Sequence, residues 1–198
     1  MMSAPMPSPL GHSLAGLAVG WFSDPAARPR TRRLVNAFSP FVLGCALIAA
    51  MPDADLLLPL SHRTATHSVT ATACILIIAV AMTGKVTTRT AWQFALALAA
   101  AHATHLLLDW LSTDRYPPEG IQLFWPFSDR FYISGLDLFP PVERRLLRPE
   151  ALAINARAAL WEVLIMGPVA LAAWFVRRRR QGSDAGAVHT PAAKAHRR

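Results

Sequence analysis

Four long apolar stretches divide the chain and are separated by short polar segments. They cover residues 34–51, 69–84, 91–111 and 158–176, and each is close to the roughly 20 residues that a helix needs to cross a bilayer. A fifth stretch, residues 10–22, is shorter and can be a tilted span, a partial span or a signal-like region. The prolines that precede it and the lack of a basic segment before it disfavour a signal peptide. This pattern predicts an all-α fold, an integral membrane helical bundle of about four to five helices.

The composition strengthens the membrane interpretation. Hydrophobic residues make up 53% of the 198 residues and charged residues only 16%, against about a quarter in ordinary soluble domains. The net charge of +8 would normally suggest nucleic acid, but the basic residues form short clusters beside the apolar stretches, as in proteins that orient in membranes. We therefore expect membrane lipid, and no specific nucleic acid, as a partner. Cys45 and Cys74 lie within apolar stretches and predict core residues rather than a disulfide.

The basic clusters predict an orientation. They lie at residues 28–33, 85–89 and 177–180, and by the positive-inside rule these segments face the cytoplasm. A chain of five crossings then starts outside and ends inside, as a multi-pass protein of the inner membrane. Segments 52–67 and 112–157 face the periplasm. The membrane-embedded domain covers residues 1–176, and residues 177–198 form a basic tail that we expect to be disordered.

The outer segment at residues 116–141 is dense in aromatic residues and prolines. This composition predicts an ordered but irregular cap on the membrane surface. Two interpretations stay open: the aromatic side chains pack at the interface only, or they form a lid over a site.

Histidines and aspartates gather at the outer ends of the apolar stretches. The candidate metal ligands are His12, Asp53, Asp55, His62, His67, His105 and Asp109. Imidazole and carboxylate groups are ligands for zinc and related divalent ions, and ionisable residues at membrane depth are functional candidates. Because the orientation was drawn from lysines and arginines alone, the convergence of these residues on one side independently predicts a metal site facing the periplasm.

Local spacing supports the site. His105 and Asp109 are four residues apart and share one face of a predicted helix. Asp53 and Asp55 follow Pro52, where a turn can aim one carboxylate at a metal and leave the other to support a ligand or act as general base.

The remaining candidates have competing interpretations. His67 stands at a predicted helix start and is a better ligand than His62, whereas His102 is more readily explained by a hydrogen bond to a neighbouring helix. Arg63 can bind a substrate phosphate or carboxylate, or extend to lipid headgroups. Glu162, inside the last apolar stretch, needs a partner and can be a ligand, a proton acceptor or an ion-pair partner.

Five motifs resemble those of a known family, the membrane-bound metal-dependent hydrolases that include LexA-regulated inner-membrane proteins. They are GH at residues 11–12, PDAD at 52–55, HRTATHS at 62–68, HLLLDWLSTD continuing to PPEGIQLFWPFS at 105–128, and WEVLIMGP at 161–168 preceded by Asn155. The resemblance covers most of the chain up to about residue 176. It implies a metal-dependent hydrolase in the inner membrane.

A wider similarity is to zinc-dependent phospholipase C and the P1-type nucleases. The order of their ligands is matched here by His12, Asp53 or Asp55, His67, and His105 with Asp109. Those enzymes add a later histidine and an H-x-x-x-E pair, whereas this sequence has no histidine between His105 and His189. The resemblance therefore implies one or two divalent ions, Zn²⁺ being the expected cofactor, rather than a cluster of three.

The sequence as a whole predicts hydrolysis of a phosphoester or other ester in a small-molecule, lipid or lipid-linked substrate. The expected catalytic residues are Asp53, Asp55, Arg63 and Glu162. The alternative is a non-catalytic metal-binding membrane protein for transport or sensing. A third interpretation is a structural membrane protein whose histidines only pack.

Overall fold

A computed structural model describes residues 7–24, 37–57, 62–83, 88–115, 117–143, 145 and 147–187, with side chains described as far as Gln181. Within these ranges the chain forms five α-helices: α1 Pro9–Ser23, α2 Pro40–Ala50, α3 Val69–Met82, α4 Arg89–Trp110 and α5 Ala151–Ala187. Two 3-10 helices, Met51–Leu57 and Ala65–His67, flank the connection between α2 and α3. The same ranges contain isolated β-bridges but no strand. The predicted all-α fold is confirmed.

Helix lengths depart from the predicted spans. Among the described residues, only α4 and α5 are long and apolar enough to cross a membrane, by length and composition. The helices α2 and α3 have 11 and 14 residues, fewer than the apolar stretches suggested. Pro40 begins α2, and the chain passes into a 3-10 helix around Pro52, whose ring cannot supply an N–H for a continuing α-helix. Residues 34–36 of that stretch lie outside the described residues.

The helix α1 contacts α2, α4 and α5 and is central to the bundle. Gly16 and Gly20 form the contact with α2. A Cβ atom on Gly16 would lie 2.5 Å from the carbonyl oxygen of Cys45, and one on Gly20 would lie 2.9 Å from the Cα of Val42. The two glycines therefore allow the backbones of α1 and α2 to approach closely.

α1 and α5 run parallel. Gly11 and Glu162 meet at one end of α1, and Asp24 and Arg177 meet at its other end, fifteen residues further along α5. At this second end Arg177 Nη2 donates to Asp24 at 2.5 Å, and Ser39 Oγ donates to the same carboxylate at 3.2 Å.

Of the three predicted basic clusters, the parts that the structure describes lie at this second end. Arg89 begins α4, and residues 177–180 belong to α5, which continues to Ala187 past the predicted start of the tail. Residues 188–198 of that tail lie outside the described residues, as do the basic residues at 28–33 and 85.

The aromatic segment packs across the other end of the bundle as an ordered, irregular layer. The backbone N–H of Thr113 donates to Phe139 and that of Ser134 to Trp110, which ties the segment to the end of α4. Ile121 and Phe139 are fully buried, whereas the side chain of Phe127 is 87% exposed. The exposed aromatic side chain favours packing at a membrane interface.

Candidate metal centre

Five of the predicted ligands meet in one buried cluster. We call the group formed by His12, Asp53, His67, His105 and Asp109 the metal centre. They come from α1, from both 3-10 helices and from α4. Four of these side chains have no solvent exposure, and that of Asp53 is 11% exposed.

The distances within the metal centre match those between ligands of one ion. Asp109 is central: its Oδ2 lies 3.1 Å from His105 Nε2 and 3.5 Å from His67 Nε2. Its Oδ1 lies 3.3 Å from His12 Nε2. Asp53 Oδ1 lies 3.7 Å from His67 Nε2. Two ligands each about 2.0–2.1 Å from a tetrahedral ion lie roughly 3.3 Å apart.

The polar atoms that face one another here lack hydrogen bonds. In the part of the chain that the structure describes, no partner is found for Asp53 Oδ1, both Asp109 oxygens, both His12 nitrogens, or the Nε2 atoms of His67 and His105. Burying such groups without partners is costly. A bound divalent cation would satisfy them together, so the donor set fits a metal ion.

Surrounding groups fix the orientation of two of the imidazoles. His105 Nδ1 donates to the carbonyl of Ala49 at 2.8 Å, which leaves the Nε2 lone pair facing the metal centre. His67 Nδ1 lies 3.4 Å from Asp55 Oδ2, and Thr66 Oγ1 donates to that same oxygen at 2.7 Å. Thr66, which lies between two candidate histidines at the predicted helix start, thus supports the site through Asp55 rather than as a ligand.

The structure gives Asp53 and Asp55 different positions. Asp53 faces the metal centre, whereas Asp55 lies behind His67, with Oδ1 2.6 Å from His62 Nδ1. Asp55, His62 and His67 form a neighbouring group that could hold an ion through the other ring nitrogen of His67, Nδ1. The two groups share one imidazole, and its Nε2 and Nδ1 point to different carboxylates.

The electrostatics of these loops favour a cation. Burial opposes ionisation of Asp53, but the neighbouring imidazoles of His67 and His105 lower its pKa below the usual value. The pKa of Asp55 is lowered in the same way, against burial, by His62 and His67. Burial also opposes the charged form of His67, yet the flanking carboxylates raise its pKa to about 9. The aspartates therefore remain ionised and attract positive charge.

Comparison with known proteins now places the chain in a family. A family model described as YdjM inner membrane protein matches residues 6–182. The chain belongs to the YdjM inner membrane protein family. The family description supports the predicted inner-membrane location and names no reaction. No curated protein and no solved structure matches the chain.

In this YdjM-family protein, Glu162 points to the start of α1 rather than into the metal centre. Its buried carboxylate accepts hydrogen bonds from the backbone N–H groups of Ser8 at 2.5 Å and Gly11 at 2.9 Å, and from the Ser8 hydroxyl. An anion at a helix N-terminus is electrostatically favourable. Glu162 therefore fixes the helix that carries His12.

Arg63 and His102 also have structural partners. Arg63 is buried, its Nη1 is paired with Asp114, and the same nitrogen donates to the Gly120 carbonyl at 3.1 Å. This pairing ties the connection that carries His67 to the aromatic segment. His102 lies 2.8 Å from Thr72 Oγ1 and 3.1 Å from the Thr66 carbonyl, through different ring nitrogens. Its bond to α3 is the one that the sequence favoured.

Proposed function

We propose that this chain is a membrane-bound metal-dependent hydrolase that acts on a phosphoester or other ester in a lipid or lipid-linked substrate. The observation that carries the proposal is the metal centre: three imidazoles and two carboxylates whose facing atoms are buried without hydrogen bonds. If these side chains served only for packing, their facing polar atoms would stay buried without hydrogen-bond partners, which is energetically costly.

The residues that would hold the ion are those of the metal centre, and Zn²⁺ is the expected metal, as one or two ions. A bound ion of this kind lowers the pKa of a coordinated water and polarises an ester or phosphoryl oxygen. Five protein donors exceed the three that a single catalytic zinc usually has. A second ion could be held by the neighbouring group of Asp55, His62 and His67.

The opening of the metal centre lies beside Asp53 and His62. Asp53 is 11% exposed and the neighbouring His62 is 15% exposed, while the other four members of the centre are fully buried. Water and substrate would therefore enter on this side. Asp55 lies within hydrogen-bond distance of the His62 imidazole, so this pair is positioned to hold or carry a proton at the opening. Arg63, already paired with Asp114, would position the loop.

The location of the metal centre favours a substrate with an apolar tail. It lies at the end of the bundle that carries the aromatic segment, where Trp125 and Phe127 are exposed. In the proposed multi-pass orientation this end faces the periplasm and the C-terminus faces the cytoplasm. A transport site would instead be expected near the middle of the membrane.

The decisive experiment is elemental analysis of detergent-purified protein. We expect one or two zinc ions per chain in the wild type and loss of metal in the double variant His105→Ala/Asp109→Ala. Asp129→Ala, which removes an exposed aspartate of the outer segment, should retain the metal. Thermal unfolding checks that each variant is folded.

The same samples then test hydrolysis of phosphoester lipids. Activity in the wild type and in Asp129→Ala, but not in the double variant, would support the proposal. A wild type without metal after reconstitution with Zn²⁺ would overturn it and leave a packing role. Stoichiometric metal without hydrolysis of any ester lipid tested would favour transport or sensing instead.

A further inference from the structure

An apolar groove lies between α1, α4 and α5, in the half of the bundle away from the metal centre. Its volume is about 870 Å³, within the range of small-molecule sites. The walls of the groove are made by small and branched apolar residues, including Ala18, Leu96, Ala100, Val169, Ala172 and Val176.

The groove lies away from the metal centre along the helices. On α1 it begins at Ala18, six residues after His12, and on α4 it ends at Ala100, five residues before His105. Ala15, on the turn of α1 between His12 and Ala18, packs with Leu108 and Phe139 in a buried cluster. None of the five residues of the metal centre lines the groove.

One end of the groove is polar and carries a positive charge. Asp24 and Arg180 both line this end, but the Asp24 carboxylate is paired with Arg177 at 2.5 Å. Arg180 Nη1 donates to the Phe22 carbonyl at 2.9 Å, and its guanidinium lies 4.8 Å from the centroid of the Phe22 ring. A guanidinium has five N–H donors, so one bond to a carbonyl leaves others for a phosphate.

A second guanidinium lies nearby in sequence. Arg178 stacks on the ring of Trp174 at 3.9 Å and is exposed, as is Arg180. This end of the bundle thus combines aromatic rings with cationic groups, the combination expected at the headgroup level of a membrane.

We propose that the groove binds an acyl chain of an anionic phospholipid whose phosphate lies against Arg180. Such a lipid has an apolar body and one anionic end. These match the apolar walls and the cationic end of the groove. The cytoplasmic leaflet, which the positive-inside rule assigns to this end, is the leaflet that carries anionic lipid. A helix from a second copy would meet no such requirement for a charge at one end.

Native mass spectrometry of the full chain in detergent provides the test. Phosphatidylglycerol and phosphatidylcholine with identical palmitoyl-oleoyl chains are the probes. We expect phosphatidylglycerol to bind more tightly and to raise the melting temperature more. Arg180→Gln should weaken phosphatidylglycerol binding about fivefold and weaken phosphatidylcholine binding less, because the choline group offsets the phosphate charge. Arg179→Gln is the control with the same loss of charge.

Filling the groove tests the acyl chain separately. Ala100 and Ala172 are exposed and line the groove, so Ala100→Phe and Ala172→Phe should each abolish binding of both lipids. Ala103, an exposed alanine of the same helix α4 that does not line the groove, gives the control Ala103→Phe. Elution volume and thermal unfolding confirm that the variants fold.

Two results would overturn the proposal. The first is equal binding of both lipids with no effect of Arg180→Gln or of the filling variants. The second is a concentration-dependent dimer that Ala100→Phe converts to a monomer, which would make the groove an interface between copies.

Discussion

At the scale of single residues, Asp53 and Asp55 show how local geometry separates two identical side chains. The sequence predicts that one of them binds the metal and the other supports it, but not which. The structure places both in the 3-10 helix Met51–Leu57, where side chains two residues apart point about 120° away from each other because three residues make a turn. Only one carboxylate can then face the metal centre. The sequence showed that Pro52 ends α2, but not that a 3-10 helix follows.

We expect Asp55→Asn to weaken zinc binding about 10- to 100-fold, because the carboxylate that orients His67 is lost while the ligands remain. Asp53→Asn should cost more, since it removes a ligand. Titration of the metal-free protein with Zn²⁺ in the presence of a competing chelator measures both. Asp129→Asn, at an exposed position, is the control. A larger loss in Asp55→Asn and His62→Gln than in Asp53→Asn would place the ion in the neighbouring group instead.

At the scale of elements, the position of His12 depends on contacts that hydropathy does not encode. The apolar stretches predict the number of helices and which ones carry ligands. They overestimate α2, because Ser39 caps it and a change of backbone geometry ends it. The helix α3 begins at Val69 as predicted, after the Ser68 cap, and ends at Met82, two residues before the end of its apolar stretch. The anchoring of α1 by Glu162 and by its two glycines depends on which helices pair. The same set of apolar stretches is compatible with many helix pairings, so the sequence alone could not predict how α1 is anchored.

The glycine contact gives a matched pair of variants. Gly16→Ala should destabilise the protein by about 1–3 kcal/mol, because the new Cβ would lie 2.5 Å from the Cys45 carbonyl oxygen. Gly44→Ala, on α2, meets nothing within 4 Å and should be neutral or stabilising by up to about 1 kcal/mol. Thermal unfolding of the two proteins in one detergent measures the difference. Equal melting temperatures would show that α1 and α2 do not pack as described.

At the scale of the whole molecule, the metal centre joins segments that are far apart in sequence. His12 and Asp109 are nearly a hundred residues apart, yet Nε2 and Oδ1 lie 3.3 Å from each other. A bound ion would connect α1, the 3-10 helices and α4 at one point. It would also remove the repulsion between two buried carboxylates.

Removal of the ion should therefore lower the stability of the entire bundle. With metal at a thousand times its dissociation constant, binding contributes about 4 kcal/mol, which corresponds to a fall in melting temperature of about 8–16 °C on chelation. Zn²⁺ added back should restore the melting temperature, and His105→Ala/Asp109→Ala should not respond to chelator. An unchanged melting temperature in wild-type protein from which elemental analysis shows the metal to be gone would show that the ion contributes nothing to folding.

The orientation of the molecule depends less on the number of spans than the sequence suggested. α4 ends at the metal centre, and α5 leads away from that end towards residues 177–180. If α5 crosses the membrane, the centre and the end of α5 would lie on opposite sides of it, and the positive-inside rule would then put the centre in the periplasm. We expect a membrane-impermeant maleimide to label Phe127→Cys in intact spheroplasts and Arg179→Cys only after permeabilisation. The wild type, which has Cys45 and Cys74, gives the background labelling. Labelling of both variants from outside would mean that α5 does not cross the membrane. The reverse pattern would place the metal centre in the cytoplasm and exclude a periplasmic substrate.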